Sequence, residues 1–159
     1  MDHIVFLAFG SNMGNRLANL KAAINNLTPQ MAVKNKSSVY ETPPWGFTEQ
    51  APFLNQVVMV NTYLQPPPLL NHLKRLETAL GRVPNFQNGP RLIDIDILFF
   101  DDLVLDTPPL VIPHPRLHER AFVLVPLAEI APDLVHPVLG KPIHELLDDL
   151  DRSDIKLFK

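Results

Sequence analysis

Two aspartates separated by one residue, Asp94 and Asp96, sit in the run Gly89-Pro90-Arg91-Leu92-Ile93-Asp94-Ile95-Asp96-Ile97. In an extended chain side chains alternate, so both carboxylates face one side about 7 Å apart at Cα, and Ile93, Ile95 and Ile97 face the other. Carboxylates that close raise each other's pKa unless a cation lies between them. Hard oxygen donors suit magnesium, which keeps water ligands and completes its shell from substrate phosphates. A pair of such ions can clamp the attacking and leaving oxygens of a phosphoryl displacement. A solvent-facing strand would show the same alternation. Arg91, just ahead of the pair, tilts the reading towards phosphate, because it supplies the cation a nucleotide takes beside its metal. Arg82 and Arg91 bracket a loop containing Pro84, Asn85, Phe86, Gln87, Asn88 and Gly89, which could fold over a triphosphate and exclude water. Two surface arginines at element ends are the plainer alternative.

Other chemistries fit less well. The glycine-rich stretch Gly10-Ser11-Asn12-Met13-Gly14-Asn15 lacks the Lys-Ser or Lys-Thr of a P-loop, and no dinucleotide fingerprint is present. Its simplest role is a strand-to-helix turn. His114 and His118 are four apart, but Pro113 and Pro115 flank the first and no His-Glu-x-x-His motif exists, so zinc is not expected. Trp45, Phe53 and Phe122 could be core residues. Trp45, however, stands in a proline loop, where a large aromatic serves best by covering something flat.

The elements that must carry these groups follow from periodicity. Ile4-Val5-Phe6-Leu7-Ala8-Phe9 predicts a buried first strand ending at Gly10, with Ser11 and Asn12 as candidate helix caps. Leu17, Leu20, Ile24 and Leu27 recur at helical spacing and predict an amphipathic helix over about 14–27, stopped by Pro29. A second strand is expected over 32–40 and a third over 53–64, separated by the loop Thr42-Pro43-Pro44-Trp45-Gly46. Pro66, Pro67 and Pro68 prime a second helix whose buried stripe is Leu69, Leu73, Leu76 and Leu80, capped by Gly81. The fourth strand, 92–100, bears the aspartates. A proline-rich loop over 108–115 and helices over about 120–130 and 143–150 follow. The order is βαββαβ, the pattern of a ferredoxin-like α+β domain with an antiparallel sheet. The C-terminal helices would complete an α/β/α sandwich.

The 159 residues are expected to form one domain that buries roughly two-thirds of its unfolded surface. With 46% hydrophobic residues there is material for a core, and without cysteine there are neither disulfides nor thiolate metal ligands. The start Met1-Asp2-His3 lacks a secretory pattern, and no run approaches the roughly 20 apolar residues of a membrane span. A cytoplasmic protein with no membrane partner is expected. The net charge of −3 argues against a general polyanion binder, so phosphate chemistry must rest on a local arginine cluster.

Taken together, Phe9-Gly10-Ser11-Asn12, Glu41 to Gly46, Phe53-Leu54-Asn55, Gly81-Arg82-Val83, Gly89 to Asp96, Ile112 to Arg116 and Arg120 to Leu127 resemble the motifs of the 6-hydroxymethyl-7,8-dihydropterin pyrophosphokinases of folate biosynthesis. The resemblance runs from the first strand to about Pro137. It implies an ATP-dependent transfer of diphosphate to the pterin hydroxymethyl group, with AMP leaving. It also implies two magnesium ions on Asp94 and Asp96, with Arg82 and Arg91 on the phosphates. Lys74, Glu77, Ile97, His114 and Arg120 would line the ATP site. Thr42, Pro43, Trp45, Phe53, Asn55 and Phe122 would form the pterin pocket, with the ring sandwiched by Phe53 and Phe122 and its edge read by Asn55. The partners implied are these two small molecules, with no nucleic acid, and the chain is expected to act as a monomer. Some positions depart from better-known members. Pro84 stands for a second loop arginine, Asn88 for a tryptophan, Phe53 for a tyrosine, and Pro109 and Val111 for polar ATP contacts.

Three rivals are weighed against this. An RNA-binding ferredoxin-like module would place aromatics at the centre of its strands and carry a basic face. Here the fourth strand presents aspartates and the chain is net negative. A metal-dependent nuclease or hydrolase could use the same carboxylates. A catalytically dead regulatory relative would have little reason to keep the arginine and aspartate pattern.

Overall fold

The computed structural model describes residues 3–44, 48–81 and 89–159. Strand β1 (His3–Ser11) leads into helix α1 (Arg16–Asn25), then β2 (Met31–Lys36), β3 (Tyr40–Thr42), β4 (Phe53–Thr62), α2 (Pro66–Ala79) and β5 (Asp94–Phe100). The hairpin β6 (Leu105–Thr107) and β7 (Leu110–Ile112), α3 (Ala121–Ile130), α4 (Ile143–Asp148) and β8 (Lys156–Leu157) complete the chain. Among the described residues the strands other than the hairpin make one antiparallel sheet. Its order is β5-β1-β4-β3-β8, with β2 also paired to β4. This is the expected ferredoxin-like connection, with the central pair β1 and β4 in register over nine residues from His3↔Thr62 to Ser11↔Leu54.

Strand alternation divides the side chains between two cores. Val5, Leu7 and Phe9 of β1, Val58 and Val60 of β4, and Ile95 and Ile97 of β5 pack with Leu20, Ala23 and Ile24 of α1 and Leu69, Leu73 and Leu76 of α2. On the other face Phe6, Val57 and Phe99 meet Val123, Leu124 and Leu127 of α3 and Ile143, Leu146 and Leu147 of α4. The result is the α/β/α sandwich. No described helix is long and apolar enough to cross a membrane.

Three local expectations are corrected. The strand expected over 32–40 is two strands, because buried Ser37 interrupts it. Its N–H donates to the Val57 carbonyl at 2.8 Å, while its hydroxyl accepts from the Val57 N–H at 2.9 Å. The cap of α1 is Asn15, whose Oδ1 accepts from Ala18 N–H at 3.1 Å, so Ser11 and Asn12 are released from that duty. The proline-rich stretch expected as a loop holds a hairpin, with Pro108 and Pro109 in the turn between β6 and β7. Gly81 does take the left-handed conformation of a helix stop, at φ +104°.

A register shift opposite Phe6 and Leu7 bears directly on function. Leu7 faces Ile97 and Phe6 faces Phe99, so Leu98 is the extra residue of a bulge. Its carbonyl accepts from the His114 N–H at 3.0 Å, which docks the Pro113–Pro115 segment beside β5.

Candidate active site

Asp94 and Asp96 project from β5 on the side opposite Ile93, Ile95 and Ile97, and both are half-buried. In register with them on β1 lie Gly10 and Ala8, and beyond these on β4 lie Asn55 and Val57. The small residues on the middle strand leave a trough that runs across three strands. Its lining includes Thr42, Pro43, Phe53, Asn55, Arg91, Arg120 and Phe122, together with both aspartates.

The polar wall of this trough is fixed in detail. Asn55 is 8% exposed and Thr42 2%, and Asn55 Nδ2 donates to Thr42 Oγ1 at 2.6 Å. That bond consumes a donor and turns Oδ1 towards Gly10, where an added Cβ would come within 3.1 Å of it. The trough therefore offers a fixed carbonyl acceptor to the edge of a ligand. Phe53 and Phe122 supply its aromatic surfaces. The Arg120 guanidinium lies 5.7 Å from the Phe122 ring centroid. Burial lowers the Arg120 pKa, and Asp96 and Asp94 partly oppose this. Tyr40 and Ser38 hold this wall together. The Tyr40 hydroxyl donates to Glu129 Oε1 at 2.5 Å and the Ser38 N–H to Oε2 at 2.9 Å, which ties α3, the bearer of Phe122, to the strand that ends at Thr42.

A second cavity opens on the other side of the carboxylates. Lys74 and Glu77 of α2, Ile97 of β5, Leu110 and Val111 of β7, Pro109 and His114 line it, again with Asp94 and Asp96. Glu77 is 5% exposed, and its Oε2 accepts from the Ile95 N–H at 2.7 Å, which satisfies a donor on the outer edge of β5. Burial, then Arg120, pushes His114 down to about 4, against a smaller upward pull from Asp94. The imidazole is thus neutral near pH 7. Its Nδ1 accepts from the Arg116 N–H at 3.2 Å, which leaves the proton on Nε2. The carboxylate pair is the common wall of two cavities, one aromatic and one lined by long polar side chains.

Comparisons with known proteins give the family. The sequence signature of the 7,8-dihydro-6-hydroxymethylpterin-pyrophosphokinase (HPPK) family matches residues 6–132. The chain belongs to this family. It is 47% identical over 153 residues to the 2-amino-4-hydroxy-6-hydroxymethyldihydropteridine pyrophosphokinase of Methylorubrum extorquens, covering 95% of this chain and 96% of that one. The enzyme of the same name from Aquifex aeolicus is 43% identical, with 89% and 88% covered. The folic acid synthesis protein FOL1 of Dictyostelium discoideum is 44% identical over 138 residues, but this chain spans only 21% of its length. Among solved structures, an HPPK-DHPS in complex with substrates superposes with a TM-score of 0.77 at 18% identity, covering 98% of this chain and 46% of that one. At that identity it supports the fold. Membership makes the chain an ATP-dependent pyrophosphokinase of folate biosynthesis.

The family's expected residues fall on both sides of the aspartates. Thr42, Pro43, Phe53, Asn55 and Phe122 meet in the trough, and Lys74, Glu77, Ile97 and His114 in the second cavity. Arg120, expected on the ATP side, lines the trough beside Phe122, and Arg91 lines it too. Trp45, Arg82, Pro84 and Asn88 lie outside the described residues. Sequence reasoning missed Ala8 and Gly10 as the floor. Two small residues alternating with Leu7 and Phe9 on a buried strand were the available signal.

Proposed function

We propose that the trough binds 6-hydroxymethyl-7,8-dihydropterin, that the second cavity binds ATP, and that diphosphate passes between them at Asp94 and Asp96. The observation that carries this reading is the shared carboxylate wall. One substrate on each side brings the pterin hydroxyl and the ATP phosphates to the same pair of acids. Phe53 and Phe122 are suited to stack a flat heterocycle, and the Asn55 carbonyl to accept from its amino edge.

The reaction balances simply. The hydroxymethyl oxygen forms a bond to the β-phosphorus, and the bond from that phosphorus to the α,β-bridging oxygen breaks. AMP departs with the bridging oxygen, and the hydroxyl proton is released. Magnesium fits the donor set, because two half-buried carboxylates leave most of a shell for water and phosphate, and no third acid or imidazole joins them among the described residues. Asp94 and Asp96 would hold two such ions, which when bound supply charge neutralisation and orientation of the phosphates. Arg91 carries a fixed positive charge to the same place, and the neutral His114 can donate from Nε2. The trough walls hold the acceptor oxygen at the carboxylates, so that positioning supplies much of the rate. Action as a monomer through a single catalytic domain, in a cytoplasmic setting, is part of this reading.

The test is AMP formation from ATP and magnesium with and without the reduced pterin. Strictly pterin-dependent AMP release is expected. Phosphate or diphosphate release without pterin would point instead to a hydrolase built on the same acids.

A further inference from the structure

Asn12 borders neither cavity, yet it grips the chain on both sides of the site. It lies just past the end of β1 and is 5% exposed. Its backbone N–H donates to the Arg91 carbonyl at 3.0 Å, and its Oδ1 accepts from the Arg91 N–H at 2.7 Å. Its Nδ2 donates to Gln50 Oε1 at 2.8 Å and to the Ala51 carbonyl at 3.0 Å. Both amide hydrogens and the carbonyl are therefore committed, to two segments that reach the trough from opposite sides of β1.

The reason for an amide is visible in the ladder. The pairing of β1 with β5 stops at Gly10↔Asp94, and beyond it Asn12 meets Arg91 through its backbone N–H and its side chain. The Asn12 side chain supplies an acceptor to the Arg91 N–H and two donors on the same planar group to Gln50 and Ala51. Only asparagine combines these at this side-chain length, since aspartate has no donor and leucine has neither.

We propose that Asn12 is a positioning residue that anchors Arg91, and through it the start of β5 with its aspartates, and also seats the Gln50–Ala51 segment that leads into Phe53 of the trough. This rests on the pterin pyrophosphokinase reading. The Asn12 side-chain carbonyl holds Arg91 beside Asp94 and its amide hydrogens seat Gln50 and Ala51, so phosphate alignment and pterin binding are each anchored on one side chain.

Asn12→Asp and Asn12→Ala separate the two halves. The aspartate keeps the acceptor for Arg91 and loses the donors to Gln50 and Ala51. It should raise the pterin KM about tenfold while kcat stays within about threefold. The alanine loses both halves and should lower kcat by about thirtyfold or more. Amide hydrogen exchange at Arg91 gives a readout without turnover: protection is retained in Asn12→Asp and falls at least about tenfold in Asn12→Ala. Unchanged Arg91 protection in Asn12→Ala would overturn the proposal. So would equal losses in both variants that merely track their melting temperatures. If the alanine variant does not fold, the aspartate decides alone, and an unchanged pterin KM sinks the proposal. Failure of the unmodified protein to make AMP from ATP and pterin would instead remove the reaction assignment, and the exchange result would stand apart from it.

Discussion

The two cavities flanking Asp94 and Asp96 are built by different means. The trough side rests on consecutive strands, so its floor and polar wall follow from register. Gly10 faces Asp94 on one neighbour and Asn55 on the other. Thr42 then locks Asn55 by a 2.6 Å bond. The other side takes its residues from α2, a hairpin and the Pro113–Pro115 segment, and its Lys74 is exposed. The lesson is one of tolerance. A preformed slot for a flat ring should be unforgiving of a single added methyl, whereas a site for a flexible, charged triphosphate should absorb changes in side chains that snorkel towards water.

The largest expected effect breaks both sides at once. Asp94→Ala or Asp96→Ala should lower kcat by at least about a thousandfold, because each removes charge organisation felt in the transition state. The circular dichroism spectrum and melting temperature should stay near those of the unmodified chain. Near-normal AMP release by either variant would refute their role.

Gly10→Ala should strike the trough alone. Gly10 does not need a positive φ, so alanine fits the backbone of its strand. Yet its Cβ would sit 3.1 Å from Asn55 Oδ1, and Asn55 cannot swing away without losing Thr42. Calorimetry should show pterin affinity down by about tenfold to a hundredfold, the cost of a misplaced buried polar group, with binding of an ATP analogue unchanged. Equal losses for both ligands would erase the contrast between the sides.

Lys74→Ala probes the opposite side. As an exposed cation it should cost no more than about fivefold in ATP affinity and nothing in pterin affinity. A loss as large as that of Gly10→Ala would show that the nucleotide side is as rigidly specified as the trough.

The smallest effect concerns the tie between α3 and β3. Burial, then the bond to Glu129, raises the Tyr40 pKa to about 12. The fold favours the neutral phenol, so its contribution to stability is complete below pH 10 and is lost as pH rises towards about 12. Ultraviolet titration should show an ionisation at about 12 that disappears in Tyr40→Phe. That variant should raise the pterin KM a few-fold (about threefold), as expected for one partly exposed hydrogen bond.

How much of this was legible in the sequence depended on how local the cause was. The alternation from Ile93 to Ile97 is a period-two signal contained in five residues, and it placed the carboxylates on one face. Helices α1 and α2 announced themselves through their leucine stripes and the prolines and glycine at their ends. The break at Ser37 gave no such signal, because its cause is the pairing of its own hydroxyl with Val57, twenty residues away. The hairpin β6–β7 hid behind Pro108 and Pro109, which read as loop and in fact make its turn. Asn12 was misread as a cap because its partners, Gln50, Ala51 and Arg91, adjoin it only in the folded sheet. The family motifs named residues that line the cavities on both sides of the aspartates. They did not reveal that Arg120 joins the aromatic side.

The most direct test of the shared carboxylate wall is a crystal structure with magnesium, a non-hydrolysable ATP analogue and the reduced pterin bound together. The expected result has the pterin ring between Phe53 and Phe122, the nucleotide beside Lys74 and His114, and metal density between the phosphates and the oxygens of Asp94 and Asp96. A nucleotide base in the aromatic trough, or phosphates bound away from both aspartates with no metal there, would contradict the account.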